Sequence, residues 1–157
     1  YREARFEGWY ALTSRDMRRE AFFIRACGVL SLLNGAKAAQ HSYFDKGSLL
    51  PEEMAGLAAT LKIGEMAAQP ESLRVEMEQD HVWRIFADGV AIMIREIANA
   101  DFDNDGIEEI LVFTVSAPDE GTARFRDVGL LEKDAPAAAP VFTPMRWRND
   151  SPADAAG

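Results

Sequence analysis

The stretch that decides the fold runs from Val90 to Ser116: VAIMIREIANA (90–100), DFDNDGIE (101–108), EILVFTVS (109–116). Two apolar, β-branched runs flank a short polar loop, so both read as strands joined by a tight connection. Ile110 to Val115 is apolar at successive positions, which predicts a strand buried on both faces and therefore central. Working outward, VWRIFA (82–87) precedes Asp88-Gly89, a strong hairpin signal. Before it, Leu73, Val75 and Met77 alternate with Arg74, Glu76 and Glu78, and Gln79-Asp80-His81 reads as a turn. After the central strand, Pro118 to Gly121 makes a turn and ARFRDVGLLEK reads as a fifth strand. Connections this short predict an antiparallel meander of about five strands over residues 72–132. VFTPMRW adds at most an edge segment.

Toward the amino terminus the period becomes helical. Thr13 reads as an N-cap with Asp16 three residues on. The helix it opens has an apolar stripe of Met17, Ala21, Ile24, Cys27 and Gly28, widened by Val29, Leu32 and Leu33, and ends at Asn34-Gly35. Residues 36–50 are ambiguous, with Gln40 to Phe44 as a candidate short strand. Pro51, Glu52 and Glu53 open a second helix with Met54, Leu57, Ala58 and Leu61 on its apolar side. Helices followed by antiparallel strands give an α+β domain over residues 1–133, the N-terminal helices packed on one face of the sheet. Residues 134–157, beginning DAPAAAP, read as an Ala/Pro linker and a disordered tail.

Composition bounds the function. The chain has 157 residues, 48% hydrophobic and 27% charged, as expected of one globular domain and not of a disordered or fibrous chain. Seventeen Lys and Arg against 26 Asp and Glu leave a net charge of −9. That disfavours nucleic acid and anionic membrane surfaces and favours cations and a protein partner with a basic surface. No apolar run approaches the ~20 residues of a membrane span. A single cysteine precludes an intramolecular disulfide. The first residue is Tyr1 and not Met, from which we expect a processed chain, exported with a signal peptide removed or trimmed from a cytosolic protein.

One segment carries chemistry. Asp101, Asp103 and Asp105 place three carboxylates at alternate positions, Gly106 permits a sharp turn, the Ile107 carbonyl follows, and Glu109 closes the set. A hard cation takes six to eight oxygens, and a loop curling around it points every second side chain inward. A polar β-turn accounts for the same residue types, but three carboxylates within five residues repel one another unless a cation offsets them. A large ligand set drawn wholly from protein favours Ca²⁺ over Mg²⁺.

The first half of this loop, D-x-D-x-D-G, resembles the EF-hand calcium loop. Position 12 is Val112 where the EF-hand has a bidentate Glu, and the flanks read as strands. D-x-D-x-D-G-x-x-[DE] between strands is similar to the calcium loops of FG-GAP (integrin-type) repeats. The likeness covers Ala100 to Val115 in a single copy. It implies Asp101, Asp103, Asp105, Ile107 and Glu109 as calcium ligands and an extracytoplasmic location.

Other candidates are bland. His41 and His81 lack zinc spacing and read as ordinary surface or half-buried residues. Cys27 reads as inert core, with a Cys–His nucleophile pair as the sharper alternative. Glu76 and Glu78 read as a solvated face. Arg15, Arg18, Arg19 and Arg25 form a basic stripe, solvated or used for docking. Tyr1, Phe6, Trp9 and Tyr10 either pack on the sheet or mark a partner surface. No nucleophile elbow, phosphate loop or dinucleotide fingerprint occurs. The expectation is a non-enzymatic, calcium-binding, periplasmic bacterial protein that binds another protein, for example an inhibitor or immunity protein for a toxin. The competing class is a metal-dependent hydrolase using the Asp101/Asp103/Asp105 ion.

Overall fold

Every strand of the main sheet pairs with its neighbours in sequence. The computed structural model describes residues 13–60, 62–63, 66–67, 73–87, 89–118 and 125–145. Among the described residues two helices come first, α1 (Ser14–Gly35) and α2 (Pro51–Thr60), with a 3-10 turn at Asp45–Gly47 between them. A minimal hairpin follows, β1 (Lys62–Ile63) with β2 (Met66–Ala67). The main sheet is β3 (Arg74–Gln79), β4 (Val82–Ala87), β5 (Val90–Ala100), β6 (Glu109–Pro118), β7 (Phe125–Glu132) and β8 (Val141–Pro144). Its spatial order is β3-β4-β5-β6-β7-β8, antiparallel throughout.

The meander is therefore as expected, with six strands in place of about five. The additional strand, β8, pairs Gly129 to Glu132 with Pro144 to Val141. Gly129 makes this approach possible, because a side chain there would collide with the Thr143 carbonyl and the Phe142 ring. The Ala/Pro segment expected as a linker runs back over α2, where Ala139 lies against Gly56 and Pro140 is fully buried. The tail beyond Met145 and the aromatic first twelve residues lie outside the described residues.

The central strand is β6. Ile110, Leu111 and Val112 are all 0% exposed, which requires apolar partners on both faces. On one face, Ile110 and Val112 join Trp83, Ile85, Ile92, Ile94 and Leu131, covered by Phe44 and Leu49 of the connecting segment and Met54 and Leu57 of α2. On the other, Leu111 joins Phe102 and Val128, with Val29 and Leu32 of α1 packed against them. The helices thus lie on opposite faces of the sheet, which corrects the expectation that both cover one. The reason is β6 itself, whose apolar side chains alternate to both sides.

Helix α1 begins as its sequence dictates. Thr13 is extended, its Oγ1 accepts the Asp16 N–H at 3.1 Å, and Asp16 lies in the first turn. Its buried side differs from the expected stripe. Gly28 is buried while Cys27 is exposed, so Cys27 is not core. The side chains of Met17, Ala21 and Ile24 lie outside the described residues.

A β-bulge between Glu96 and Ala98 governs the far end of β5. Val90, Ile92, Ile94 and Glu96 point to the α2 face, whereas after the extra residue Ala98 and Ala100 face α1. Glu96 is consequently a buried carboxylate, and its oxygens are filled. Oε1 accepts Trp83 Nε1–H at 2.9 Å and the Leu49 N–H at 3.4 Å, and Oε2 accepts the Ser48 hydroxyl at 3.1 Å. His81 Nδ1 lies 3.0 Å from Oε2, which holds the imidazole above its ordinary pKa through that hydrogen bond and the carboxylate charge. His81 occupies the left-handed region, φ 63°, at the β3–β4 turn. Among the described residues, no helix is long and apolar enough to cross a membrane.

Ile110→Ala should cost about 2–5 kcal/mol of unfolding free energy, because it empties a site packed on every side. Equilibrium denaturation with an unchanged m-value checks it; a loss under about 1 kcal/mol would show that β6 is not the packed centre.

Candidate metal centre

The loop between β5 and β6 is fixed by backbone before any ion is considered. The Lys37 N–H donates to the Asp101 carbonyl at 2.9 Å and the Asp101 N–H returns to the Lys37 carbonyl at 3.0 Å. At the other end the Gln40 and His41 N–H groups donate to the Gly106 carbonyl, and the Glu108 N–H donates to the His41 carbonyl at 2.9 Å. The ambiguous segment 36–50 therefore contributes two isolated bridges, Lys37 with Asp101 and His41 with Ile107, in place of a strand. Ser42 adds a side-chain tie, its hydroxyl donating to Glu108 Oε1 at 2.8 Å.

Within the loop, carboxylates and backbone amides alternate. Asp101 accepts the Asn104 N–H on Oδ1 at 2.6 Å and the Gly106 N–H on Oδ2 at 3.1 Å. Asp103 accepts the Asp105 N–H at 3.0 Å, and Asp105 accepts the Ile107 N–H at 2.7 Å. The curl this produces needs two left-handed residues, Asn104 at φ 72° and Gly106 at φ 90°, the residue types that tolerate that region best.

The four expected carboxylates come together. Ligand oxygens of Asp101, Asp103, Asp105 and Glu109 all lie within 4.8 Å of one another, so the group could hold a metal ion. Asp101 and Glu109 are buried, 5% and 3% exposed, and form the floor; Asp103 and Asp105 are exposed and form the outer rim. Glu109 Oε2 accepts the Phe102 N–H at 2.7 Å, which anchors the floor across the loop. Burial pushes the Glu109 carboxyl up to about 7, and the charges of Asp103, Asp105 and Asp101 push the same way against that hydrogen bond. A proton on Glu109 and a cation among the carboxylates relieve the same repulsion, so the two compete. Ile107, expected to present its carbonyl, sits at the bridge to His41 with its N–H on Asp105.

His41 borders the loop through its backbone, but its ring is not among the clustered ligands. His81 and Cys27 lie on other elements, the first on the buried Glu96 and the second on exposed α1. Glu76 and Glu78 form surface ion pairs with Arg74 and Arg84. Glu96, with Ser48 and Trp83, carries a buried polar network that no sequence motif marks. Its signal is the alternation Val90, Ile92, Ile94, Glu96, which sets a carboxylate on the core face. No protein-family model, curated protein or solved structure matches the chain.

The raised Glu109 pKa has a defined sign. The protonated form is favoured in the fold, so its contribution is fully present below about 4.5 and lost as pH rises through about 7. In chelator, wild type should lose stability relative to Glu109→Gln, which keeps an oxygen for the Phe102 N–H, between about pH 5 and pH 8. Thermal unfolding of both proteins across that range measures it, and a pH-independent difference would refute the assignment.

Proposed function

We propose that the chain is a calcium-braced binding module. One Ca²⁺ sits among Asp101, Asp103, Asp105 and Glu109 with the Ile107 carbonyl, in the manner of the FG-GAP-type loop that the segment resembles. The observation that carries this reading is the convergence of four carboxylates, two of them buried, in a loop already curled by its own amides. The ion offsets their mutual repulsion. It also stiffens the junction of β5 and β6 with segment 37–41, through the backbone pairs that flank it.

Function then resides in a surface and not in the ion. With a net charge of −9, the partner class best matched is a protein with a basic face, and association with it slows as salt rises. An extracytoplasmic, periplasmic setting suits a calcium-dependent brace, because calcium is far more abundant there than in cytosol. An inhibitor or immunity protein for a toxin is the most specific version of this role.

A second reading, a metal-dependent hydrolase, is favoured by one observation. Asp103 and Asp105 are exposed, which leaves the outer side of the site open to water. The coordination shell in a crystal grown with calcium separates the two. A shell with one or two waters supports the brace, and several waters facing a cleft support the hydrolase.

Calcium should raise thermal stability relative to chelator, by about 2.7 kcal/mol at one hundred times Kd, with magnesium less effective. The pair Asp103→Ala and Asp105→Ala should abolish the rise while the apo protein stays folded, since both side chains are exposed. Equal melting temperatures in chelator and in millimolar calcium would end the proposal.

A further inference from the structure

Among the described residues, the buried carboxylate of Glu96 has one cationic partner within ion-pair distance, and that partner is open to solvent. His81 Nδ1 lies 3.0 Å from Glu96 Oε2, the Glu96 side chain being 3% exposed and that of His81 61%. The other donors on this carboxylate are neutral: the Trp83 indole, the Ser48 hydroxyl and the Leu49 amide. The backbone fixes the pair as well. The Glu96 N–H donates to the His81 carbonyl at 2.9 Å, one step beyond the Val82–Arg95 pair of the β4–β5 ladder. His81 is left-handed there, and β3 shifts register just before it, between Met77 and Gln79. Turn and ladder thus hold the imidazole over the carboxylate. The ring's second proton decides whether the contact is an ion pair or a neutral hydrogen bond.

We propose that His81 and Glu96 form a pH-sensitive latch. With the imidazolium in place, one carboxylate joins three elements: the β3–β4 turn, strand β5, and the segment at Ser48 and Leu49 that leads into α2. When His81 gives up its proton, the neutral ring still donates through Nδ1, but the buried charge loses its counterion, and the turn and the segment loosen. The surrounding charges leave this role to His81. Asp80, beside it in the turn, also favours the imidazolium. Arg95 neighbours Glu96 on β5 but leaves the strand on the opposite side and is exposed. Arg84 of β4 is paired with Glu78, and Glu53 of α2 is paired with Lys133. The hydrogen bond to Glu96 and the charge behind it hold the imidazole above its ordinary value of 6.5. The stability this contributes is therefore fully present below 6.5 and is lost as pH rises through the raised value. The latch is closed in mildly acidic solution and weakens on the alkaline side. It lies on the α2 side of the β5 bulge and needs no ion in the β5–β6 loop.

An NMR titration of the whole chain, isotope-labelled and held in chelator, between about pH 5 and about pH 9 tests the latch. The His81 ring should titrate above 6.5, and the Trp83 indole N–H and Leu49 amide signals should move with the same midpoint. Hydrogen-exchange protection of the Leu49 amide, corrected for the intrinsic rate, should fall several-fold across that midpoint. In Glu96→Gln, which keeps an oxygen for the Trp83 and Leu49 donors, the His81 midpoint should drop toward 6.5. In His81→Asn, a residue that tolerates the left-handed backbone, the Trp83 and Leu49 signals and the Leu49 protection should lose the shared midpoint. That variant provides the test if Glu96→Gln does not fold. Glu109 also titrates in this range, but it does so in wild type and in His81→Asn alike, so their difference isolates the latch. An unmoved His81 midpoint in Glu96→Gln would overturn the proposal. So would Trp83 and Leu49 signals that keep the midpoint in His81→Asn, or a Leu49 protection that stays constant in wild type.

Discussion

Ile110, Leu111 and Val112 occupy three successive positions of β6 without any exposed surface. In a strand, successive side chains leave on opposite faces, so a run of this kind commits the protein to two apolar layers and not one. The rest of the architecture answers that requirement. Strands β5 and β7 flank β6 edge to edge. Segment 44–57, with α2, covers one face, and the C-terminal half of α1 reaches the other. The helices occupy opposite sides because each face needs a lid, although their order in the chain gives no hint of it.

The same strand pair positions the polar chemistry. The bulge at Glu96 and Ala98 changes which residues of β5 point to which face, and it does so one turn of the chain before the acidic loop. On one side of the bulge Glu96 is driven into the core, where Trp83, Ser48 and a backbone amide fill its oxygens. A buried carboxylate with that many donors ties the connecting segment to the sheet, and removing a donor would weaken the compensation of its buried charge. Beyond the bulge, Phe102 enters the α1-side core while Asp101 pairs with Lys37. The acidic loop is therefore mounted between two packed layers. That mounting explains how two of its four carboxylates, Asp101 and Glu109, come to be buried.

Burial of Glu109 and exposure of Asp103 and Asp105 give the site an inner and an outer side. The inner side carries the electrostatic cost, visible in the raised pKa of Glu109. The outer side, at Asp103 and Asp105, is open to solvent. Segment 37–41 shares backbone hydrogen bonds with this loop.

Much of this was legible in the residues. Period-two alternation in Leu73 to Met77, the Asp88-Gly89 turn signal and the apolar run at Ile110 determined an antiparallel meander with a central strand. Thr13 and Pro51 determined where the helices begin, and the spacing of Asp101, Asp103, Asp105 and Glu109 determined that four carboxylates would share a loop. These features are local, set by dihedral preference, side-chain period and turn chemistry within a few residues. Only the tertiary structure decided which face each helix covers, that Cys27 faces outward while Gly28 packs inward, that β8 extends the sheet beyond Lys133, and that Glu96 is held by Trp83 and Ser48. Each of those depends on the partner that a side chain meets from a distant part of the chain. For β8 the deciding contact is the absence of a side chain at Gly129, which lets Phe142 and Thr143 close on the sheet.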